Sequence, residues 1–189
     1  MALFRGFPWK KVPGYIVSQI FGAYVGGALA FAYYYSSIDH YDGGVRQTVG
    51  AQGTASIFVT FPLPWVTVGS AFLSETYCTA ILVFCIFAII DPHNLTSKAF
   101  TPLAIGMVVA TIGMCAGFQS GYGMNQARDI GPRLFLSSVG YGWEPWTAHD
   151  YYAWVPMVAP LFGALLGGTL YDFLIYHPQD PPVPQRRSR

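Results

Sequence analysis

Four long apolar stretches, with the charged residues confined to the gaps between them, restrict this chain more than any other feature of its sequence. They cover residues 15–35, 68–90, 102–117 and 153–176. About 20 helical residues are needed to cross roughly 30 Å of hydrocarbon, so each is expected to span a membrane, the third being short. Only 10% of the 189 residues are charged and 53% are hydrophobic, against roughly 25% charged in soluble domains. The expected class is an all-α membrane protein in contact with a lipid bilayer. A net charge of +1 offers no basic surface for nucleic acid and no acidic tract for a charged partner.

Basic residues Arg5, Lys10 and Lys11 precede the first stretch, but it continues to Tyr35, too long for the apolar core of a signal peptide. Residues 1–14 are therefore expected to be a cytoplasmic segment, 15–176 a transmembrane domain, and 177–189 a basic cytoplasmic tail. Four spans place both termini on one side with the 91–101 turn. That side collects seven of the ten Lys and Arg residues (Arg5, Lys10, Lys11, Lys98, Arg186, Arg187 and Arg189), which makes it cytoplasmic by the positive-inside rule. The sequon Asn94-Leu95-Thr96 would then face the cytosol and carry no glycan.

Cys78, Cys85 and Cys115 lie inside apolar stretches without metal-ligand spacing, which reads as apolar filling. His40, His93, His149 and His177 sit in loops or at span ends. No His-Glu-x-x-His, Gly-x-Ser-x-Gly or phosphate-binding pattern occurs. No enzyme, cofactor or metal is expected.

The first and fourth stretches share a repeat. Phe21-Gly22-Ala23-Tyr24-Val25-Gly26-Gly27-Ala28-Leu29 matches Phe162-Gly163-Ala164-Leu165-Leu166-Gly167-Gly168-Thr169-Leu170. Both contain Gly-x-x-x-Gly, at Gly22/Gly26 and Gly163/Gly167, which lets helix backbones approach closely in lipid. The two copies would run in opposite directions, as in inverted-repeat transport proteins. A unit closed by the fourth stretch begins near Val68. The unit closed by the first would need spans upstream of Met1, so the chain reads as N-terminally truncated.

After the third stretch comes Gly117-Phe118-Gln119-Ser120-Gly121-Tyr122-Gly123-Met124-Asn125. Glycine-rich sequence holds a helix poorly, Asn125 is a good N-cap, and about ten following residues, near 125–135, are too short to span. This predicts a re-entrant half-helix, its positive dipole end at mid-membrane and bare carbonyls of residues 117–124 facing a passage. The alternative is an extramembrane loop with a surface helix. Glu75, seven residues into its stretch, must be paired or hydrogen-bonded unless it snorkels to the surface.

Asn125-Gln126-Ala127-Arg128-Asp129-x-Gly131-Pro132-Arg133 resembles the second Asn-Pro-Ala box of the major intrinsic protein family, in its aquaglyceroporin branch. Gln19, Gly22-Ala23, Glu75, Trp154-Val155-Pro156 and Gly163 are similar to other family positions, in the right order. The resemblance implies an aquaporin-like bundle of four transmembrane helices plus one half-helix. It also implies a passive channel for glycerol and similar uncharged solutes, a homotetramer, and a plasma-membrane location. Asn125 would donate to a passing hydroxyl. Arg128 would donate at the narrowest point and repel cations, with Tyr122 as an aromatic wall and Gly113 widening the filter. Asp129, Arg133, Tyr34, Pro160 and Leu161 match positions that separate glycerol from water channels. Glu75 would anchor the re-entrant backbone.

Two departures stand out. Gln126 replaces the proline of the box, which loses a preset φ and adds an N–H. The first two family helices and the first box lie outside this sequence. A second reading is therefore a non-conducting subunit that associates with full-length channels.

Overall fold

Prolines, glycines and two capping side chains, Thr67 and Asn125, set most of the helix starts and several of the ends. In the computed structural model, which describes residues 1–94 and 97–176, α1 runs Val12–Asp42 with Pro13 in its first turn. It stops at Gly43, whose left-handed φ of 66° suits a residue without Cβ. Thr67 caps α2, Val68–Ile90, by accepting the Ser70 N–H at 3.2 Å. Asp91 ends α2 in an extended conformation, as the residue before Pro92 should. Helix α3 is Thr101–Ala116, α4 is Gln126–Ser138, α5 is Glu144–Tyr151 and α6 is Val155–Leu174. No strand occurs among the described residues.

α1, α2 and the α5–α6 stretch are long and apolar enough to cross a membrane. With 16 residues, α3 is the short apolar helix expected over 102–117; it rises about 24 Å before giving way to the glycine-rich turn. The first helix continues seven residues past the expected Tyr35. Its extra turns are stabilised by Arg46, which folds back onto Asp42 at 2.8 Å and Asp39 at 3.1 Å. The half-helix extends to Ser138 rather than residue 135. Leu95 and Thr96 of the sequon, and the tail from His177 onward, lie outside the described residues.

Helix α6 lies directly on α2. A Cβ on Gly163 would come within 2.6 Å of Thr79 Cβ, and one on Gly167 within 2.9 Å of the Ala80 carbonyl carbon, so both positions need glycine for this approach. Ala71, Tyr152, Val155 and Ala159 pack alongside. Helix α1 instead packs on α4, on a face that does not include Gly22 and Gly26. A Cβ on either would meet nothing within 4 Å. Gly27 faces Pro132 and Phe135 at 3.6 Å, because α4 approaches the α1 face bearing Ala23, Tyr24 and Gly27. The outer face of α1 is apolar and open, Tyr33 being 82% exposed, as suits a surface solvated by lipid.

The α1–α2 loop folds inward rather than outward. Ala55, Phe58 and Val59 join Ile38, Phe135, Leu136 and Tyr141 in one cluster, and Thr54 Oγ1 meets the Tyr141 hydroxyl at 2.6 Å. At the opposite end the N-terminal segment docks on α2 and α6. The Arg5 guanidinium donates to both Asp172 oxygens, at 3.1 and 2.6 Å, and lies 4.1 Å from the Phe87 ring centre. Nearby, Asp91 accepts from the Tyr171 hydroxyl at 2.6 Å and from the His93 N–H at 2.8 Å. Burial opposes ionisation of Asp91, but the bonds from Tyr171 and His93 outweigh it and hold the carboxyl below its ordinary range.

Candidate functional site

A carboxylate in the middle of α2 organises the site. Glu75 is fully buried and accepts from Ser120 Oγ at 2.7 Å, Gly123 N at 2.9 Å and Met124 N at 2.8 Å. The stretch it holds is strained: Tyr122 and Met124 sit at φ 44° and 47°, a region that costs non-glycine residues about 1–3 kcal/mol each. Three hydrogen bonds to one buried carboxylate supply the compensation. Glu75 is thus an internal acceptor, not a side chain reaching for the surface.

The turn delivers the chain to Asn125, whose Oδ1 accepts from Ala127 N at 2.9 Å and Arg128 N at 3.3 Å. That satisfies two N–H groups at the start of α4. It also fixes the carboxamide so that its NH2 end points away from the helix. Gln126 follows, half-buried, in the first helical position. Arg128 comes one turn on, with Nη1 donating to the Phe58 carbonyl at 3.0 Å. Asn125 and Arg128 line one cleft of about 530 Å³ with Gln19, Ala23, Gly26, Ala30, Ile57 and Phe58. The amides of Gln19 and Asn125 and the Arg128 guanidinium share this lining with apolar Ala23, Ala30, Ile57 and Phe58. Gly26 takes part as open floor instead of as a helix contact.

Asp129 lies outside the lining of this cleft. Expected from sequence among the passage residues, it is fully buried, turned about 100° around α4 from Arg128. Its Oδ1 accepts from the Thr60 N–H and Oγ1, both at 2.8 Å, and its Oδ2 accepts from Arg133 Nε. Arg133, equally buried, also donates to the carbonyls of Pro145 and, at 2.7 Å, Thr60. The pair binds α4 to the α1–α2 loop and to α5.

Tyr122 and Gly113 form a separate pair beside the cleft. A Cβ on Gly113 would lie 3.0 Å from Tyr122 Cζ, and one on Gly117 2.8 Å from the same ring. The lack of a side chain at Gly113 thus lets the Tyr122 ring lie against α3. Pro160 is buried within α6, whereas Tyr34 and Leu161 are exposed on α1 and α6. The carbonyls of residues 117–124 are not all bare: Gln119 O accepts from Leu63 N at 3.1 Å and Gly117 O from Gly121 N at 3.0 Å. Among the described residues no His, Cys, Asp or Glu group could hold a metal.

The sequence profile of the major intrinsic protein family matches residues 1–171. The chain belongs to this family. Similar family members include aquaglyceroporin-2 of Rhizophagus irregularis, 43% identical over 93% of this chain and 56% of that protein. A probable aquaglyceroporin-2 of Gibberella zeae is 44% identical over 95% of this chain and 54% of its own length. Aquaglyceroporin-3 of Trypanosoma brucei brucei is 43% identical, with 93% and 58% covered. The chain thus spans little more than half of these curated relatives. The X-ray structure of the aquaglyceroporin from Plasmodium falciparum superimposes with a TM-score of 0.77 at 29% identity, covering 89% of this chain and 66% of that one. This major intrinsic protein is a membrane protein with the aquaporin fold.

Sequence reasoning missed three contributors in this family member: the Phe58 carbonyl, Thr60, and Gly131. A Cβ on Gly131 would meet Ala23 Cβ and Tyr24 N at 2.7 Å. Gly131 was visible in the box, but nothing in the loop sequence marked Phe58 or Thr60.

Proposed function

We propose that the protein is a passive channel for glycerol and similar small uncharged solutes. The observation that carries this reading is the mixed cleft, where Asn125, Arg128 and Gln19 share the lining with apolar Ala23, Ala30, Ile57 and Phe58. A polyol presents hydroxyls along one edge and C–H groups along the other, so it can exchange water for fixed donors while its carbon edge meets apolar walls. An ion cannot: Arg128 repels cations, and among the described residues no acidic side chain lines the cleft to replace a cation's hydration. No energy source enters this mechanism. The aquaglyceroporin names of the relatives favour the same solute class.

Within this proposal the protein works as a tetramer in the plasma membrane, with both termini cytoplasmic, as the bias of basic residues favours. The test is stopped-flow light scattering of vesicles carrying the protein in a glycerol gradient. Glycerol entry well above that of empty vesicles, reduced or made ion-leaky by Arg128→Ala, is the expected result. Entry equal to that of empty vesicles would refute it.

A further inference from the structure

We infer that Thr60 is a positioning residue for Arg128, and that it sets the aim of the guanidinium through the backbone of the α1–α2 loop. The inference rests on the reading of Arg128 as a solute-facing donor.

Thr60 is 3% exposed and committed on every polar atom. Its N–H and Oγ1 both donate to Asp129 Oδ1 at 2.8 Å, and its carbonyl accepts from Arg133 Nη2 at 2.7 Å. Two residues earlier, the Phe58 carbonyl accepts from Arg128 Nη1 at 3.0 Å. Asp129 and Arg128 are neighbours on α4 facing different sides. The loop segment 58–60 therefore clips onto one helical turn at both ends, with Thr60 on the buried side and Phe58 on the cleft side. One residue separates the two anchors, and with at most about 3.6 Å per residue a shift at Thr60 is passed to Phe58 with little chain between them to absorb it.

Thr60 also touches the strained turn. A Cβ on Gly121 would lie 3.2 Å from Thr60 Cγ2, and one on Gly123 3.5 Å from Thr60 Oγ1. The same side chain thus registers the loop against the backbone held by Glu75 and against α4 at once. Arg128 itself has few restraints: a guanidinium has five N–H donors, and the Phe58 carbonyl is its side chain's one partner among the described residues. Where that carbonyl sits decides which donors remain turned to the cleft.

The experiment uses the full chain in phosphatidylcholine vesicles as wild type, Thr60→Val and Thr60→Ser. Phenylglyoxal bridges both terminal nitrogens of an arginine, so it reacts faster with Arg128 when Nη1 is free of the Phe58 carbonyl. The rate at Arg128 is read by peptide mass spectrometry, with Arg5 at the opposite end as internal reference. Thr60→Val, close in shape but lacking the hydroxyl, should raise the Arg128 rate relative to Arg5 roughly fivefold, the scale of one lost hydrogen bond. Thr60→Ser, which keeps the donor, should stay within about twofold of wild type on the same scale. Thr60→Ala removes the hydroxyl without bulk beside Gly121 and gives the same result where Val prevents folding. An unchanged Arg128 rate in the Val or Ala variant, with or without a lower melting temperature, overturns the inference. The readout needs no solute flux. A raised Arg128 rate in Thr60→Val upholds the inference even where the wild type fails to pass glycerol, a failure that sinks only the channel reading.

Discussion

Glu75 and Met124 meet through a 2.8 Å hydrogen bond from a backbone N–H in a left-handed conformation to a wholly buried carboxylate. The bond joins the centre of a long apolar helix to the last residue before the half-helix cap. Glu75→Ala leaves three donors without an acceptor and frees two strained residues to relax. Breaking buried charged contacts of this kind costs about 3–5 kcal/mol. Thermal unfolding in detergent should therefore show a large destabilisation, with Glu75→Gln, which keeps one acceptor oxygen, falling between the two. Equal melting temperatures for wild type and Glu75→Ala would contradict this account of the turn.

The repeated glycines should respond oppositely to the same change. Gly167→Ala places a methyl against the Ala80 backbone, and overpacking of this sort costs about 1–3 kcal/mol. Gly22→Ala meets open space and removes backbone freedom from the unfolded chain, so it should be neutral or stabilising by up to about 1 kcal/mol. Melting curves of the two variants of the full chain decide the matter.

Filling Gly113 displaces Tyr122. Gly113→His drives a ring into the space where Tyr122 Cζ lies 3.0 Å from the Cβ position. In a conducting protein, glycerol flux should fall at least about tenfold, a loss of roughly 1.4 kcal/mol in barrier terms, with water flux reduced less. A paired measurement of glycerol and water permeability tests it, and an unchanged ratio would count against the Tyr122–Gly113 pair as a determinant of solute choice.

Asp91 gives the pH dependence. Its carboxyl is held below the ordinary value of about 3.9 because hydrogen bonds from Tyr171 and His93 outweigh the cost of burial. A depressed folded-state pKa contributes stability that is complete above the unfolded value and is lost as pH falls through the folded one. The difference in melting temperature between wild type and Asp91→Asn should shrink as pH falls below about pH 4. A difference that persisted unchanged to pH 2 would show that the charge of Asp91 is not what matters.

The fold class was legible because membrane helices announce themselves by length and polarity. The cap at Asn125 was legible because capping is a local matter of one side chain and the next three residues. What could not be read was which face of a helix meets which distant segment. Arg128 and Asp129 are adjacent in sequence, yet one faces a cleft and the other is sealed under Thr60, 69 residues away. Gly26 and Gly27 differ by one position and about 100° of rotation, and only the second meets α4. The burial of Asp129 depended on a loop between α1 and α2 whose Phe58 and Val59 fold into the core.

The fork between Arg5 and Asp172 has a mechanical meaning. Phe4 lies against Gly168 and Arg5 grips the end of α6, so the leading residues are tethered to the last helix before they enter the first. Tension applied at Met1 is carried into α6 before it reaches α1. Pulling the chain by its head should strip this clasp as a first, separate event, one that Arg5→Ala abolishes in single-molecule force traces.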